Sequence, residues 1–443
     1  MEPITNVLRA ESPESRQQFI VKTFTDCFDD VMRAESDAWR SKFRKMASTP
    51  FAFYRGSACM FYADVARDLD PFLNEKTSRV WIQGDLHAEN FGTYLNSEGI
   101  LVFDVNDFDE AYVGPFTWDM KRFAASLALI GYQKALSDDE IRHVIQVAAR
   151  GYVKRVKAFA EKGHADGFAL TIASTTGKLQ ELINETRLES RYSLLESLTS
   201  IENYDRRFTI NKINRPIDKM LYQQLETCFE EYLETIPKRK RKDRVNYNIK
   251  DIVEVQGAGI GSAGFKIYSF LLEGPTQTLE NDVIVSMKQG QVASASRVQT
   301  DTSVGSYFQH HGHRTCLSQR ALQANADPWL GYNALNGVGY FVSEFSPYTA
   351  DLNWDGINKM DDILELVDFL GQAIAKIHCV SDDDSDHTLV PYSTEEAIYE
   401  MLQGKEDAFV DEMVRFGMEY GDIVRDDYRL FVDAFRNHMF PQL

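Results

Sequence analysis

Three oxygen-bearing side chains, Asp85, Asn90 and Asp107, fall within one short stretch of this chain. Asp85 and Asn90 lie five residues apart in a loop after a strand-like run, VWIQGDLH (80–87). Asp107 stands at the end of the next such run, GILVFDVNDFD (99–109). Magnesium takes hard oxygen ligands and keeps several waters, so a carboxylate, an amide and phosphate oxygens make a site for it. A further carboxylate left clear of the metal can accept a hydroxyl proton. That chemistry assigns Asp85 as the base and Asn90 and Asp107 as metal ligands. Isolated aspartates at strand ends are commonly turn or cap residues, and Asp104 and Asp109 are read that way. His87 is read as an organiser of the loop, a hydrogen-bonded core histidine, or a contact to substrate phosphate. A metallophosphoesterase would also offer Gly-Asp and His, but the chain lacks the Gly-Asn-His partner of such a site.

A second group comes more than a hundred residues later. Gly257, Gly259, Gly261 and Gly264 separate DIVEVQ from FKIYSFLL, and Lys288 ends the next run, VIVSMK. Glycine lets backbone N–H groups approach phosphate oxygens closely. A Gly-x-Gly-x-x-Gly also fits a dinucleotide-binding loop, but that loop needs a helix directly after its last glycine. FKIYSFLL alternates aromatic and β-branched residues, so it is read as a strand and the glycines as a hairpin over ATP. Arg55, in a Tyr-Arg-Gly turn, has a planar fork suited either to a phosphate or anionic substrate or to a carboxylate salt bridge. His310, His311 and His313 have no Cys or acid at ligand spacing, and are read as a mobile loop.

Here the residues resemble known enzymes. Gly84-Asp85-Leu86-His87-x-x-Asn90, an apolar strand, then Asp107-Phe108 is similar to the catalytic and metal loops of aminoglycoside phosphotransferase and choline kinase relatives. The resemblance implies a second aspartate in the following helix that braces the catalytic loop. Asp119, twelve residues after Asp107, has that spacing and selects Asp107 over Asp104 or Asp109. It also implies that Lys288 pairs with nucleotide phosphates, and that Glu344, Phe345 and Ser346, after the run GYFVS, form the hinge facing adenine. No acid occurs from Ser303 to Ala326, so the helix TCLSQRALQANA (315–326) offers Lys288 only Gln319, Arg320 and Gln323. In ordinary kinases the glycine hairpin precedes the catalytic loop, whereas here it follows. The order resembles a circularly permuted kinase-like fold. The stretches Phe53-Tyr54-Arg55-Gly56-Ser57, GDLHAENFG, FDVNDFDEA, PFTWDMKRFAAS, GAGIGSAG and SQRALQ together also resemble the DUF2252 family of bacterial proteins.

The elements that must position these groups can be read from periodicity. Residues 12–48, 118–136, 138–163, 361–381, 394–418 and 425–438 carry helical spacing, and 165–236 reads as helical and polar throughout. Strand-like runs cluster between 251 and 347. The expected class is α+β, a two-lobed kinase-like fold with a helical insertion. Its expected parts are 1–164 (helical lobe with the catalytic and metal loops), 165–245 (insertion), 246–348 (β-rich nucleotide lobe) and 349–443 (rest of the helical lobe). KRKRKDR (238–244) reads as a solvated linker, and Asp382, Asp383, Asp384 and Asp386 as a solvated turn.

With 48 Lys+Arg against 67 Asp+Glu, the net charge of −19 makes nucleic acid and anionic membranes poor partners. The start has no basic, apolar leader, and no run approaches the ~18 apolar residues of a membrane span. Cys27, Cys59, Cys228, Cys316 and Cys379 are scattered and odd in number, as expected of free thiols in a reducing cytoplasm. The expected function is an ATP- and Mg²⁺-dependent phosphotransferase acting on a hydroxyl of a small molecule or protein. Transfer of AMP to a protein from the same site, or an ATP-binding pseudokinase that regulates a partner, are the alternatives.

Overall fold

Apolar residues recur every three or four positions through the first 65 residues, and helices form there: α1 (Ile4–Ala10), α2 (Pro13–Ala34), α3 (Ser36–Met46), α4 (Pro50–Arg55) and α5 (Ala58–Val65). Ser12 caps α2 by accepting the N–H of Ser15, ahead of Pro13 in the first turn. A computed structural model describes residues 3–162, 167–241, 244–256, 264–323, 325–383 and 389–443 of the chain. Four short strands follow α5, namely β1 (Val80–Ile82), β2 (Phe91–Leu95), β3 (Leu101–Val105) and β4 (Tyr112–Gly114). β1 pairs with β4 and β2 with β3, so the two runs that carry the acids belong to different antiparallel ribbons.

Next come α6 (Phe116–Gln133) and α7 (Asp138–Lys162). Every residue of α6 from Phe116 to Gly131 is buried, as expected of a central helix. Its polar members therefore require partners inside the protein. The stretch read as helical from 165 to 236 contains α8 (Gly177–Thr186), α9 (Arg191–Leu198) and α10 (Lys219–Thr235), but also strands β5 (Thr199–Glu202), β6 (Asp205–Phe208) and β7 (Asn214–Arg215). Runs of two to four residues are too short for alternation to show against the helical background.

Strands β8 (Ile249–Val255), β9 (Ile267–Leu272) and β10 (Val283–Gln289) precede α11 (Thr302–Tyr307) and α12 (His311–Leu322). Strands β11 (Gly331–Leu335) and β12 (Val338–Glu344) then lead to α13 (Met360–Cys379), α14 (Thr394–Leu402) and α15 (Glu406–Arg436). A six-stranded antiparallel sheet has the order β11-β12-β10-β9-β8-β7. Asn336 and Gly337, both at positive φ, make the two-residue turn from β11 to β12. Strand alternation gives β10 two roles: Val283, Val285 and Met287 join an apolar cluster with Leu225 and Phe229 of α10, while Ser286 and Lys288 face the other way. The three histidines read as a mobile loop open α12 instead: His310 caps it by accepting the N–H of His313.

The class is α+β. The main core draws on both ends of the chain, from Ile4 to Phe440. Arg16 of α2 fastens that closure, with Nη2 2.6 Å from Asp64 of α5 and 2.7 Å from Asp427 of α15. Among the described residues no helix is long and apolar enough to cross a membrane.

Candidate functional site

The loop after β1 is held from beneath by α6. Asp119 accepts the backbone N–H groups of Gln83 (2.7 Å) and Gly84 (3.0 Å), and lies 3.3 Å from Nε2 of buried His378. Tyr152 reaches the other ring nitrogen at 3.0 Å. Gln83 ties this loop to the one after β3: its Oε1 accepts the N–H of Asp85 (2.8 Å), while Nε2 donates to the carbonyls of Asn106 (3.1 Å) and Asp107 (2.5 Å). The loops touch at Gly84, where an added Cβ would lie 2.0 Å from the Glu110 carbonyl oxygen.

Arg122, fully buried on α6, orients the Asp85 carboxylate with Nε 2.6 Å from Oδ1 and a second contact through Nη2. Burial raises the Asp85 pKa, with Arg122, Arg55 and Lys42 pulling the other way. The Asn90 amide nitrogen donates to the Asp85 carbonyl at 2.8 Å, which leaves the amide oxygen as its free group. His87 is buried and accepts the N–H of Glu89 at Nδ1 (3.3 Å). Burial beside Arg55 and Arg122 pushes its pKa well down, so the ring is neutral. Arg55 pairs with Glu89 at the rim.

Asp107 adopts left-handed backbone geometry (φ 54°, ψ 76°), which turns the chain sharply after β3. Its side chain opens into the cleft. Enclosure by the cleft walls and the neighbouring Asp109 carboxylate push its pKa up to about 6. Lys288 lies 2.5 Å from Asp109 Oδ2. Burial works against the lysine's charge, but Asp109 and Asp107 outweigh it and raise its pKa. Lys288, Glu344 and Phe345 line the same cavity of about 290 Å³ as Asp107 and Asp109, with Ser286 and Ser343 on its floor. Glu344 pairs with Arg191 of α9 at 2.7 Å, and its N–H donates to Asp327. Gly257, Gly259 and Gly261 lie outside the described residues. Gly264 is at φ +82° against Trp39, whose Nε1 an added Cβ would approach to 2.9 Å.

Two aspartates read as solvated turn residues are not solvated. Asp104 is 3% exposed and pairs with Lys376 of α13, while Asp109 is 7% exposed and pairs with Lys288. Asp382, likewise read as solvated, is buried and accepts the N–H of Thr394. Helix α12, which offers no acid to Lys288, contributes Arg314 to the same region. That buried guanidinium donates to the carbonyls of Asp109 (2.5 Å) and Gln291 (2.8 Å), and also of Ala111. Arg122 was not singled out in the sequence. Its signal was a charged residue inside the apolar run FAASLALIGY's helix, three positions after Asp119.

Asn90, Asp107 and Asp109 carry oxygen donors of the kind a hard divalent cation takes, though Asn90 lines neither cavity that Asp107 and Asp109 share. Asn90 has its amide oxygen free, Asp107 faces the cleft, and Asp109 Oδ1 is a buried acceptor with no hydrogen-bond partner. Among the described residues no three His, Cys, Asp or Glu side chains gather to hold a metal by themselves. Phosphate oxygens and water would have to complete the coordination, as is usual for magnesium. A family model described as "Uncharacterized protein conserved in bacteria (DUF2252)" matches residues 34–434. No curated protein and no solved structure matches the chain. Asp85, Asp107, Asp119, Arg122 and Lys288 all fall inside the matched span, and the chain belongs to the DUF2252 family of proteins conserved in bacteria.

Proposed function

We propose that this protein is an ATP-dependent phosphotransferase acting on a hydroxyl of a small molecule or protein, on a circularly permuted kinase-like fold. One observation carries the reading: Asp107 and Asp109 from the first third of the chain and Lys288, Glu344 and Phe345 from the sheet line one cavity. At about 290 Å³, that cavity is near the lower end of small-ligand sites. Strand β10 presents Lys288 to phosphates, and the stretch after β12 borders the space where a base would lie.

In this reading, the acceptor hydroxyl gives its proton to Asp85 as its oxygen bonds to the γ-phosphorus. The bond from that phosphorus to the β–γ bridging oxygen breaks, and the electron pair leaves on ADP. A raised pKa makes Asp85 a stronger base than an ordinary carboxylate, and Arg122 fixes its direction. Asn90 and Asp107 would hold Mg²⁺, which neutralises phosphate charge when bound. Lys288 adds a fixed positive charge. The pseudokinase alternative rests on the absent acid in α12, and the pairing of Lys288 with Asp109 weighs against it.

The test is transfer of label from ATP to acceptors in a bacterial extract. γ-Labelled ATP should label a product and α-labelled ATP should not, and Asp85→Asn should lower the rate by about 10²–10⁴. Label from the α position alone would mean AMP transfer. ATP binding with no transfer of either label, indifferent to Asp85→Asn, would leave a nucleotide-binding regulator.

A further inference from the structure

A second, smaller cavity lies beside Asp85, away from the sheet. Lys42, Arg55, Cys59, Asp85, Glu110 and Ser294 line it, together with Phe28 and the edges of Asp107 and Asp109. It measures about 50 Å³, room for about three to five waters at the ~10–15 Å³ each requires, and hence for a small polar group.

Of the two cations that line this cavity, Arg55 has an ion-pair partner and Lys42, among the described residues, has none. Asp85 is paired with Arg122, Asp109 with Lys288 and Arg55 with Glu89. Asp107, on the side shared with the larger cavity, makes no ion pair among the described residues. Glu110 accepts the N–H of Ser294 at 2.5 Å. Lys42 is different. It is 6% exposed, and among the described residues its ammonium has no hydrogen bond or ion pair. It lies over two ring faces, 4.3 Å from the Trp39 centroid and 5.3 Å from that of Phe28. A buried cation with no ion pair or hydrogen bond is costly, and an anion entering the cavity would relieve that cost. Burial lowers the Lys42 pKa only to about 8, because Cys59, Glu110 and Asp85 oppose it, so the side chain still carries charge near neutrality.

We infer that this cavity is the acceptor subsite and that it selects a hydroxyl compound bearing a small anionic group, carboxylate or phosphate, which binds at Lys42 while the hydroxyl faces Asp85. Arg55 stands at the rim, where an incoming anion could exchange with Glu89. This rests on the phosphotransferase reading for the word acceptor. The anion site itself does not.

The experiment uses the full chain without nucleotide and four probes by titration calorimetry: glycolate against ethylene glycol, and glycerol 3-phosphate against glycerol. At least one anion should bind about tenfold or more tightly than its neutral partner, and Lys42→Met should abolish the preference. Glycolate alone would assign a carboxylate, and glycerol 3-phosphate alone a phosphate. Equal binding of charged and neutral probes, no binding of either anion in the millimolar range, or a preference that survives Lys42→Met would each overturn the inference. If Lys42→Met does not fold, the wild-type ratios and Lys42→Gln carry the test. If ATP neither binds nor transfers phosphate while the anion preference persists, the phosphotransferase reading fails and the anion site stands.

Discussion

Lys288 on β10 forms its ion pair with Asp109, only two residues beyond Asp107, with 2.5 Å between Nζ and Oδ2. The contact spans 179 positions and joins the sheet to the loop that follows β3. Both cavities include Asp109, so this pair stands at the wall between them.

Removing one member of that pair should cost more than removing both. Lys288→Met leaves the Asp109 carboxylate buried without its partner, and a loss of about 2–4 kcal/mol is expected in urea denaturation. The double variant Lys288→Met/Asp109→Asn should regain most of that loss without regaining nucleotide affinity. Equal stability of the single and double variants would show that the pair is not coupled.

In the phosphotransferase reading, Asp119 acts on the loop after β1 by position. Asp119→Ala strands the N–H groups of Gln83 and Gly84 in a buried setting, at about 1–3 kcal/mol for each unsatisfied group. Turnover should fall with little change in ATP affinity, since Lys288 and the sheet are untouched. A proportionate loss of ATP affinity would argue that the loop and the cavity at Lys288 are one mechanical unit.

Two glycines at similar φ separate backbone strain from crowding. Gly99 (φ +78°) has nothing within 4 Å of an added Cβ, and Gly99→Ala should cost about 1 kcal/mol. Gly84 (φ +85°) has the Glu110 backbone oxygen at 2.0 Å, so Gly84→Ala must push the loops after β1 and β3 apart. Melting temperatures of the two variants check this. Similar shifts would mean that the loops separate freely.

Glu110 gives a pH dependence with a definite sign. Its folded pKa of about 7 lies above the ordinary 4.5, so the folded state binds the proton more tightly than the unfolded chain. This contribution is fully present below about pH 4.5 and is lost as pH rises through 7. Glu110→Gln should therefore gain stability relative to wild type across that window, by up to about 3 kcal/mol. Unfolding free energies of both proteins at pH 5 and pH 8 measure it. A difference that stays constant with pH would rule out the protonated carboxyl.

Much of the frame was legible along the chain. The helices at 116–133, 138–162 and 360–379 carried a clear 3.6-residue period, and β8, β9, β10 and β12 were β-branched and aromatic runs. Asp119 could be named as a brace through the resemblance to kinase-like relatives, whose spacing after Asp107 it shares. The short strands β5 to β7 were not legible, because runs so brief do not establish a period. The β11–β12 turn did have a signal in Asn336-Gly337, a dipeptide that favours positive φ at both positions.

Residue types and local spacing, which the sequence alone determines, were enough to single out Asp85, Asn90, Asp107 and Lys288 as chemically capable groups. Which charge meets which was decided only by the tertiary structure. Arg122 reaches Asp85, Lys376 reaches Asp104 and Lys288 reaches Asp109, while Lys42 is left among aromatic rings. Periodicity tells which face of an element turns inward. The partner waiting there belongs to another element, brought up by packing of the whole core, and its identity is written nowhere near either residue.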